Sequence, residues 1–278
     1  MCVLVYPKDE TQKALLTSFL EEKNMDFDYN ISDSETSNEY LQVLLKRSNE
    51  ITENPEQAGR AFDEFNKKNG HTQRYGFTTG TTATAAAIGA AYMYLNDKRD
   101  IVDVELPAGI TLTIPLEFVK KEKNLFTCGV KKNAGDDPDV TDGILISTKL
   151  EFIKKENGLE FNFFAGEGVG VFTKDGLALP KGEAAINPVP RQMMIENLSV
   201  ILKEHGFSGI VNITVTVENG VDIAKKTFNE RLGIIGGISI LGTSGLVLPM
   251  SKTALLETIE ADIKFRLNNS KERRVYLA

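Results

Sequence analysis

The hydrophobic positions of this chain follow two different rhythms. After an apolar opening from Cys2 to Tyr6, Leu15, Leu16, Phe19 and Leu20 recur at helical spacing. Asp9-Glu10-Thr11 precedes them, placing acid and cap at the positive end of a helix dipole. Tyr40, Leu41, Leu44 and Leu45 mark a second amphipathic helix behind Ser37-Asn38-Glu39, and Ala61, Phe62 and Phe65 a third that opens at Asn54-Pro55. The first stretch thus reads as strand, helix, strand and two helices. From residue 73 onward the dominant period shortens to that of a strand. Val102, Val104 and Leu106 alternate with polar positions, as do Ile110, Leu112, Ile114, Leu116 and Phe118, then Phe126, Cys128 and Val130. A second hairpin is expected from Ile144–Ile153 to Leu159–Phe164, joined through Asn157-Gly158. Val211, Ile213, Val215 and Val217 form a further strand that turns at Asn219-Gly220. Helices are expected over the alanine-rich Ala83–Ala91, over Gln192–His205 behind a rigid Asn187-Pro188-Val189-Pro190, and over Val221–Phe228. The fold class is mixed α+β, rich in β-hairpins, with helices packed on mixed sheets.

Charge divides the chain where the pattern does. Of the net −7 over 278 residues, residues 1–72 carry 8 basic and 14 acidic side chains, and the remainder 24 and 25. Glycine is almost absent before residue 72 and frequent after it. Three parts are therefore expected: a small acidic appendage over 1–72, a glycine-rich α+β domain over 73–251, and a C-terminal region over 252–278. In the last, 253–267 reads as a helix and 273–278 as an edge strand with nothing after it, so a truncated region is expected. The acidic pI of about 5.1 makes a nucleic-acid partner a poor expectation. No apolar run approaches the ~20 residues of a membrane span. Only Cys2 and Cys128 are present, which fits a reducing cytoplasm and no disulfide framework. Two histidines, His71 and His205, offer no zinc cluster and no nucleophile–base arrangement. Chemistry that binds and orients two ligands fits such a chain better than covalent catalysis.

Four motif regions remain. Thr78-Thr79-Gly80-Thr81-Thr82 leads into the alanine helix, setting hydroxyls beside unpaired N–H groups. That arrangement suits an anion as well as it suits a threonine-capped buried helix. Asp136, Asp137, Asp139 and Asp142 crowd carboxylates into one loop, fit for a cation, an amine, sugar hydroxyls or plain solvation, without the roughly twelve-residue calcium-loop spacing. Gly166-Glu167-Gly168-Val169-Gly170 has the G-x-G-x-G form of a Rossmann cofactor loop. The extended Val171-Phe172-Thr173 follows where that unit needs a helix, so it is not a conventional Rossmann site. Finally, Gly233–Gly245 holds five glycines among buried-type residues, behind the cations Lys225, Lys226 and Arg231.

Arg74-Tyr75-Gly76-Phe77-Thr78-Thr79-Gly80-Thr81, Ala134-Gly135-Asp136-Asp137-Pro138-Asp139-Val140-Thr141, Ala185-Ile186-Asn187-Pro188-Val189-Pro190-Arg191 and Gly236-Gly237-Ile238-Ser239-Ile240-Leu241-Gly242-Thr243 together resemble the CbiD family of cobalt-precorrin-5B C1-methyltransferases. The resemblance spans nearly all of residues 74–251. Two local departures are Asn133 where the family commonly has aspartate, and Gln192 where a second arginine is common. Residues 1–72 lie outside it; Val5–Gln12 loosely resembles small antitoxin-type proteins. The resemblance implies S-adenosylmethionine as methyl donor and a tetrapyrrole carrying cobalt as substrate, with no metal held by the protein. Residue chemistry, rather than the family, then supplies candidate roles. Asp136, Asp137 and Asp139 are the candidate catalytic and donor-holding carboxylates. The threonine helix start, Arg191, Lys225, Lys226 and Arg231 suit the carboxylates of the macrocycle. Glu167, Gly168, Asn187, Gly236, Gly237 and Thr243 complete the candidate binding set. Two rival readings are a non-catalytic corrinoid- or donor-binding fragment and a protein-interaction module through residues 1–72.

Overall fold

In the computed structural model, residues 75–174 and 177–249 are described in full, with the backbone of Leu4–Val5, Asp26–Asp28 and Arg274–Leu277. The helices expected around Leu16, Leu44 and Phe62 and over 253–267 lie outside the described residues. The chain divides into two compact units, one of residues 1–53 with 251–278 and one of 54–250. In the first, Arg274–Leu277 runs parallel to Leu4–Val5 on one side and to Asp26–Asp28 on the other. It is the central strand of three, not the edge strand expected. Both of its neighbours come from the opposite end of the sequence, and no local pattern carries that pairing.

The second unit is organised by helix α1, Thr79–Tyr94, whose residues from Thr79 to Ala91 are all buried. A helix buried all round must be built of small or apolar side chains, and the run Ala83-Thr84-Ala85-Ala86-Ala87 meets that demand. Hairpin β1 (Ile101–Glu105) and β2 (Thr111–Pro115) follows, with the buried pairs Val102–Ile114 and Val104–Leu112 in register. Then come β3 (Phe118–Glu122), β4 (Leu125–Lys131), β5 (Leu145–Lys154), β6 (Leu159–Ala165), helix α2 (Pro188–Glu204), β7 (Gly209–Val217) and the short helix α3 (Gly220–Ala224).

Five of these strands form one sheet in the order β3-β4-β5-β7-β6. Rows such as Cys128–Thr148–Val215 and Phe126–Leu150–Ile213 are buried on the face that α1 covers. Thr148 Oγ donates to the Ala83 carbonyl at 2.9 Å, fixing helix to sheet. At the far end of α1, Tyr94 stacks on Phe152 at 3.9 Å and meets Phe126 and Phe207 edge-on. The α2 side chain of Asn197 bonds both the N–H and the carbonyl of Glu105, closing the end of β1 against the helix.

Three expectations need correction. Strands β5 and β6 are not a hairpin: β7 lies between them, antiparallel to β5 and parallel to β6. The Asn157-Gly158 segment therefore spans two inter-strand spacings, about 9–10 Å, rather than one. Pairing both β5 and β6 with a buried strand of alternating Val and Ile outweighs a local turn preference. Helix α2 begins at Pro188, not Gln192, because the missing proline N–H costs nothing in a first turn. Helix α3 ends at Ala224 and leaves Phe228 in the turn beyond.

A second layer is held by a crossing of three backbones. Gly168–Val169 pairs in parallel with Gly237–Ile238, while Val171–Phe172 pairs antiparallel with Ile234–Ile235. Cβ atoms on Gly220 or Gly237 would overlap the Gly168 carbonyl, and one on Gly168 the Val217 carbonyl. Gly168 also has φ +76°, a left-handed conformation that side chains disfavour. Among the described residues no helix follows this glycine loop before Pro188, in keeping with a non-Rossmann fold. Gly220→Ala is expected to lower stability by about 2 kcal/mol or more, and Gly109→Asn, in a turn with open space around it, by less than about 1 kcal/mol. Chemical denaturation of the two variants checks this; equal losses would mean the crossing is not tightly packed.

Candidate functional site

The motif stretches, scattered through the sequence, meet around the start of α1. Gly76–Phe77 pairs antiparallel with Leu246–Val247. The Phe77 N–H donates to the Asn133 carbonyl at 2.8 Å, and a Cβ on Gly76 would overlap the Ala134 backbone. The N–H of Thr78 donates to the Gly245 carbonyl at 3.0 Å and that of Gly80 to Leu241 at 2.9 Å. Gly80 also lies against the Pro190 ring at the head of α2. The Asn187 N–H donates to Ile240, whose own N–H donates to Ala185. Residues 76–82, 132–143, 185–191 and 237–245 thus form one continuous neighbourhood.

The threonine start of α1 is bonded inward. Thr78 caps the helix by accepting from the Thr81 N–H at 3.2 Å. Thr79 Oγ accepts from the Leu241 N–H at 2.9 Å and lies within bonding reach of the Leu241 carbonyl at 3.2 Å. Thr81 Oγ donates to Gly245 at 2.7 Å, and Thr82 Oγ to the Thr78 carbonyl at 2.8 Å. All four threonines are buried. Of the two arrangements this motif allowed, the bonding is that of a capped, buried helix whose end is closed by residues 239–245.

The acidic loop splits into supporting and surface carboxylates. Lys132, only 3% exposed, places Nζ 2.8 Å from Asp139 Oδ2. The other Asp139 oxygen accepts from Thr141 N–H and Oγ at 2.7 and 2.6 Å. Burial raises the proton affinity of Asp139, but Lys132 and the Thr141 donors outweigh it and hold the carboxyl below its ordinary range. Asp142 accepts from the Ala134 N–H at 2.7 Å, and Asn133 Oδ1 from the Gly135 N–H at 2.8 Å. Asp136 is exposed and Asp137 half-buried on the same loop. The departure at Asn133 is thereby absorbed locally, since its amide oxygen does what a carboxylate would do for Gly135.

The cations also divide. Arg191 donates Nε–H to the Ile186 carbonyl at 2.8 Å and pairs through Nη2 with Glu183 at 2.9 Å. It lies 5.2 Å from the Phe163 ring centroid and pins the segment before α2. Lys225 pairs with Asp222 at 2.6 Å on the surface, while Lys226 and Arg231 are exposed. Glu167, Gly236 and Thr243 are exposed, Asn187 half-buried, and Gly168 and Gly237 lie in the backbone crossing.

Among the described residues, no group of three or more His, Cys, Asp or Glu could hold a metal ion. No helix among them is long and apolar enough to cross a membrane. Burial pushes the Cys128 thiol up to about 12, so it is no nucleophile at neutral pH. The residues that sequence reasoning passed over are the internal ties: Lys132, Asn229 and Ser239. Asn229 donates to the Gly237 carbonyl at 3.2 Å and accepts from Ser239 Oγ at 3.3 Å. Only for Lys132 was a signal present, a lysine directly preceding a loop of four aspartates.

A family model described as CbiD matches residues 66–249. The chain is 48% identical over 211 residues to the cobalt-precorrin-5B C(1)-methyltransferase of Ruminiclostridium cellulolyticum, covering 76% of this chain and 54% of that protein. It is 46% identical over 213 residues to the enzyme of the same name from Clostridium perfringens strain 13, covering 76% of this chain and 56% of the relative. A crystal structure of the cobalamin biosynthesis protein cbiD from Archaeoglobus fulgidus superposes with a TM-score of 0.50 at 38% identity, covering 70% of this chain and 60% of that one. The chain spans about half the length of the curated relatives it matches.

Asp139→Asn leaves the buried Lys132 ammonium without its counter-charge, and is expected to cost about 3 kcal/mol at neutral pH. A carboxyl held below its ordinary value of 3.8 adds stability above that pH and loses it as pH falls through the lowered value. The variant should therefore show a flatter acid limb in urea unfolding between about pH 2 and 6. Parallel acid limbs would show that the pair contributes nothing.

Proposed function

The chain belongs to the CbiD family, and on that premise we propose that it moves a methyl group from S-adenosylmethionine to C1 of a cobalt-precorrin-5 intermediate in cobalamin biosynthesis. The observation that carries this reading is coincidence: the family match covers the same four stretches that pack together at the head of α1. A cytoplasmic site of action belongs to the same reading.

The donor supplies an already activated methyl; its sulfur departs as a neutral thioether with the bonding pair, and the ring carbon furnishes the pair for the new C–C bond. What the protein must add is alignment and exclusion of water, worth ~7–11 kcal/mol at best. No protein nucleophile is needed, in keeping with the inert Cys128. The donor also presents a cationic amine and ribose hydroxyls, which exposed carboxylates on a rigid loop can hold. Asp136 and Asp137 are the residues proposed for that task, with Glu167 at the edge of the glycine crossing as a third. Asp139 has a different proposed role from the one its sequence position suggested. Tied to Lys132 and Thr141, it keeps the loop in shape for its neighbours. The threonines of α1 and Arg191 are likewise proposed to hold the walls in register, since their donors and acceptors engage protein groups.

Anaerobic incubation of the purified chain with cobalt-precorrin-5A and labelled donor should yield a corrinoid carrying one added methyl by mass spectrometry. A chain that folds and binds both ligands without methyl transfer would instead be a binding fragment. Asp137→Asn is expected to raise the donor KM about tenfold with the corrinoid KM unchanged, as loss of a charged hydrogen bond requires. Unaltered donor kinetics in this variant would remove the carboxylate assignment.

A further inference from the structure

The turn beyond α3 presents large apolar side chains that the core does not use. Phe228 is 52% exposed and Ile235 57%. Their backbone is nonetheless tied down. The buried Asn229 bonds the Gly237 carbonyl and Ser239 Oγ through its side chain, and its own carbonyl accepts from the Ile234 N–H at 2.9 Å. The Leu232 N–H donates to Phe228 at 3.0 Å, and the Gly233 N–H to Glu230 at 3.1 Å. Leu232 and Ile234 face inward, against Phe172 and Ala185. The turn therefore sends two apolar groups into the core while holding Phe228 and Ile235 in solvent. Single exposed apolar side chains are ordinary, but the Ile234–Asn229 hydrogen bond closes this turn and sets Phe228 and Ile235 at its two ends.

One cation lies against it, and others precede it in the chain. The Arg231 guanidinium sits 5.5 Å from the Phe228 ring centroid. Asp222 bonds Lys225 and also feels the charge of Lys226, and Glu230 acts on Lys225. No ion pair joins Lys226 or Arg231 to a carboxylate among the described residues, and both are exposed. Gly236, beside Ile235, has open space where a side chain would stand.

We infer that this turn is the platform on which the tetrapyrrole lies, with Phe228 and Ile235 against the apolar face of the ring system and Lys226 and Arg231 on its peripheral carboxylates. The inference deepens the methyltransfer reading and rests on it for the ligand class. Charge favours this occupant over a second copy of the chain. A symmetric contact centred on Lys226 and Arg231 would bring like charges together, whereas a flat ring rimmed with carboxylates complements them.

Titration of the full chain with cobalt(III) uroporphyrin III, a flat polycarboxylated metal tetrapyrrole, tests the platform by absorbance without requiring turnover. Saturable binding is expected. Phe228→Ala should weaken it about tenfold, and Lys226→Gln with Arg231→Gln should weaken it about tenfold and reduce its salt dependence. Val200→Ala, an equally exposed site on α2, should bind as the parent does. No binding by the parent chain, or equal binding by all variants, overturns the inference. Self-association that Phe228→Ala relieves, without tetrapyrrole binding, overturns it in favour of a second copy. Intact platform binding without methyl transfer from cobalt-precorrin-5A would count against the methyltransfer reading alone.

Discussion

Everything in the second unit depends on burying one helix that has almost no side chains. Helix α1 brings thirteen buried residues to the centre of the fold, nearly all alanine, threonine or glycine. Such a helix gains little from its own apolar surface, so its neighbours must come close enough to make many weak contacts. The sheet meets it through Cys128 and Thr148, and Gly89 admits the Cys128 sulfur. Close approach has a corollary at the N-terminus, where free N–H groups cannot be left in a dry interior. The carbonyls of Gly245 and Leu241 answer that demand for Thr78 and Gly80, and the Thr78 hydroxyl accepts from the Thr81 N–H. The segments that seal the helix are then fixed in space, and the acidic loop and the head of α2 are fixed by leaning on them.

The same logic separates two kinds of charged residue. Lys132, Asp139 and Arg191 are engaged with protein partners and shape loops. Asp136, Glu167, Lys226 and Arg231 stand at the surface, on backbones that the first group and the glycine crossing hold in place. Precise placement of a methyl donor and acceptor requires such a division, because a group that orients a ligand must itself be oriented by something else. The proposed tetrapyrrole platform and the carboxylates proposed for the donor both draw on this outer tier.

Much of the architecture could be read from pattern. The alternation from Val102 to Val130 anticipated β1, β2 and β4, and each of Val102, Val104, Leu112, Ile114, Phe126, Cys128 and Val130 is buried. The alanine run anticipated α1. The absence of a helix after Gly166–Gly170 excluded a conventional Rossmann loop, and family membership followed from four motifs in order. These are local properties: residue period, helix propensity and the backbone freedom of glycine act over a few residues.

What pattern could not decide were relations between segments far apart in the chain. A strong Asn-Gly turn suggested that β5 and β6 pair, yet β7 enters between them. Its alternating valines and isoleucines complete buried rows with β5 and half-buried ones with β6. Threonines at a helix start suit an anion or a cap equally, and only the carbonyls of residues 239–245 determine which they serve. Aspartates in one loop look alike in sequence. Lys132, seven positions before Asp139, ties that one to a buried ammonium, while the side chain of Asp136 is exposed. The sequence by itself therefore determined which of the described segments form elements and where the charged and polar candidates stand along the chain. The tertiary structure alone decided which of those residues support and which face outward. A side chain's role depends on the partners that long-range packing brings within a few ångströms, and spacing along the chain does not encode them.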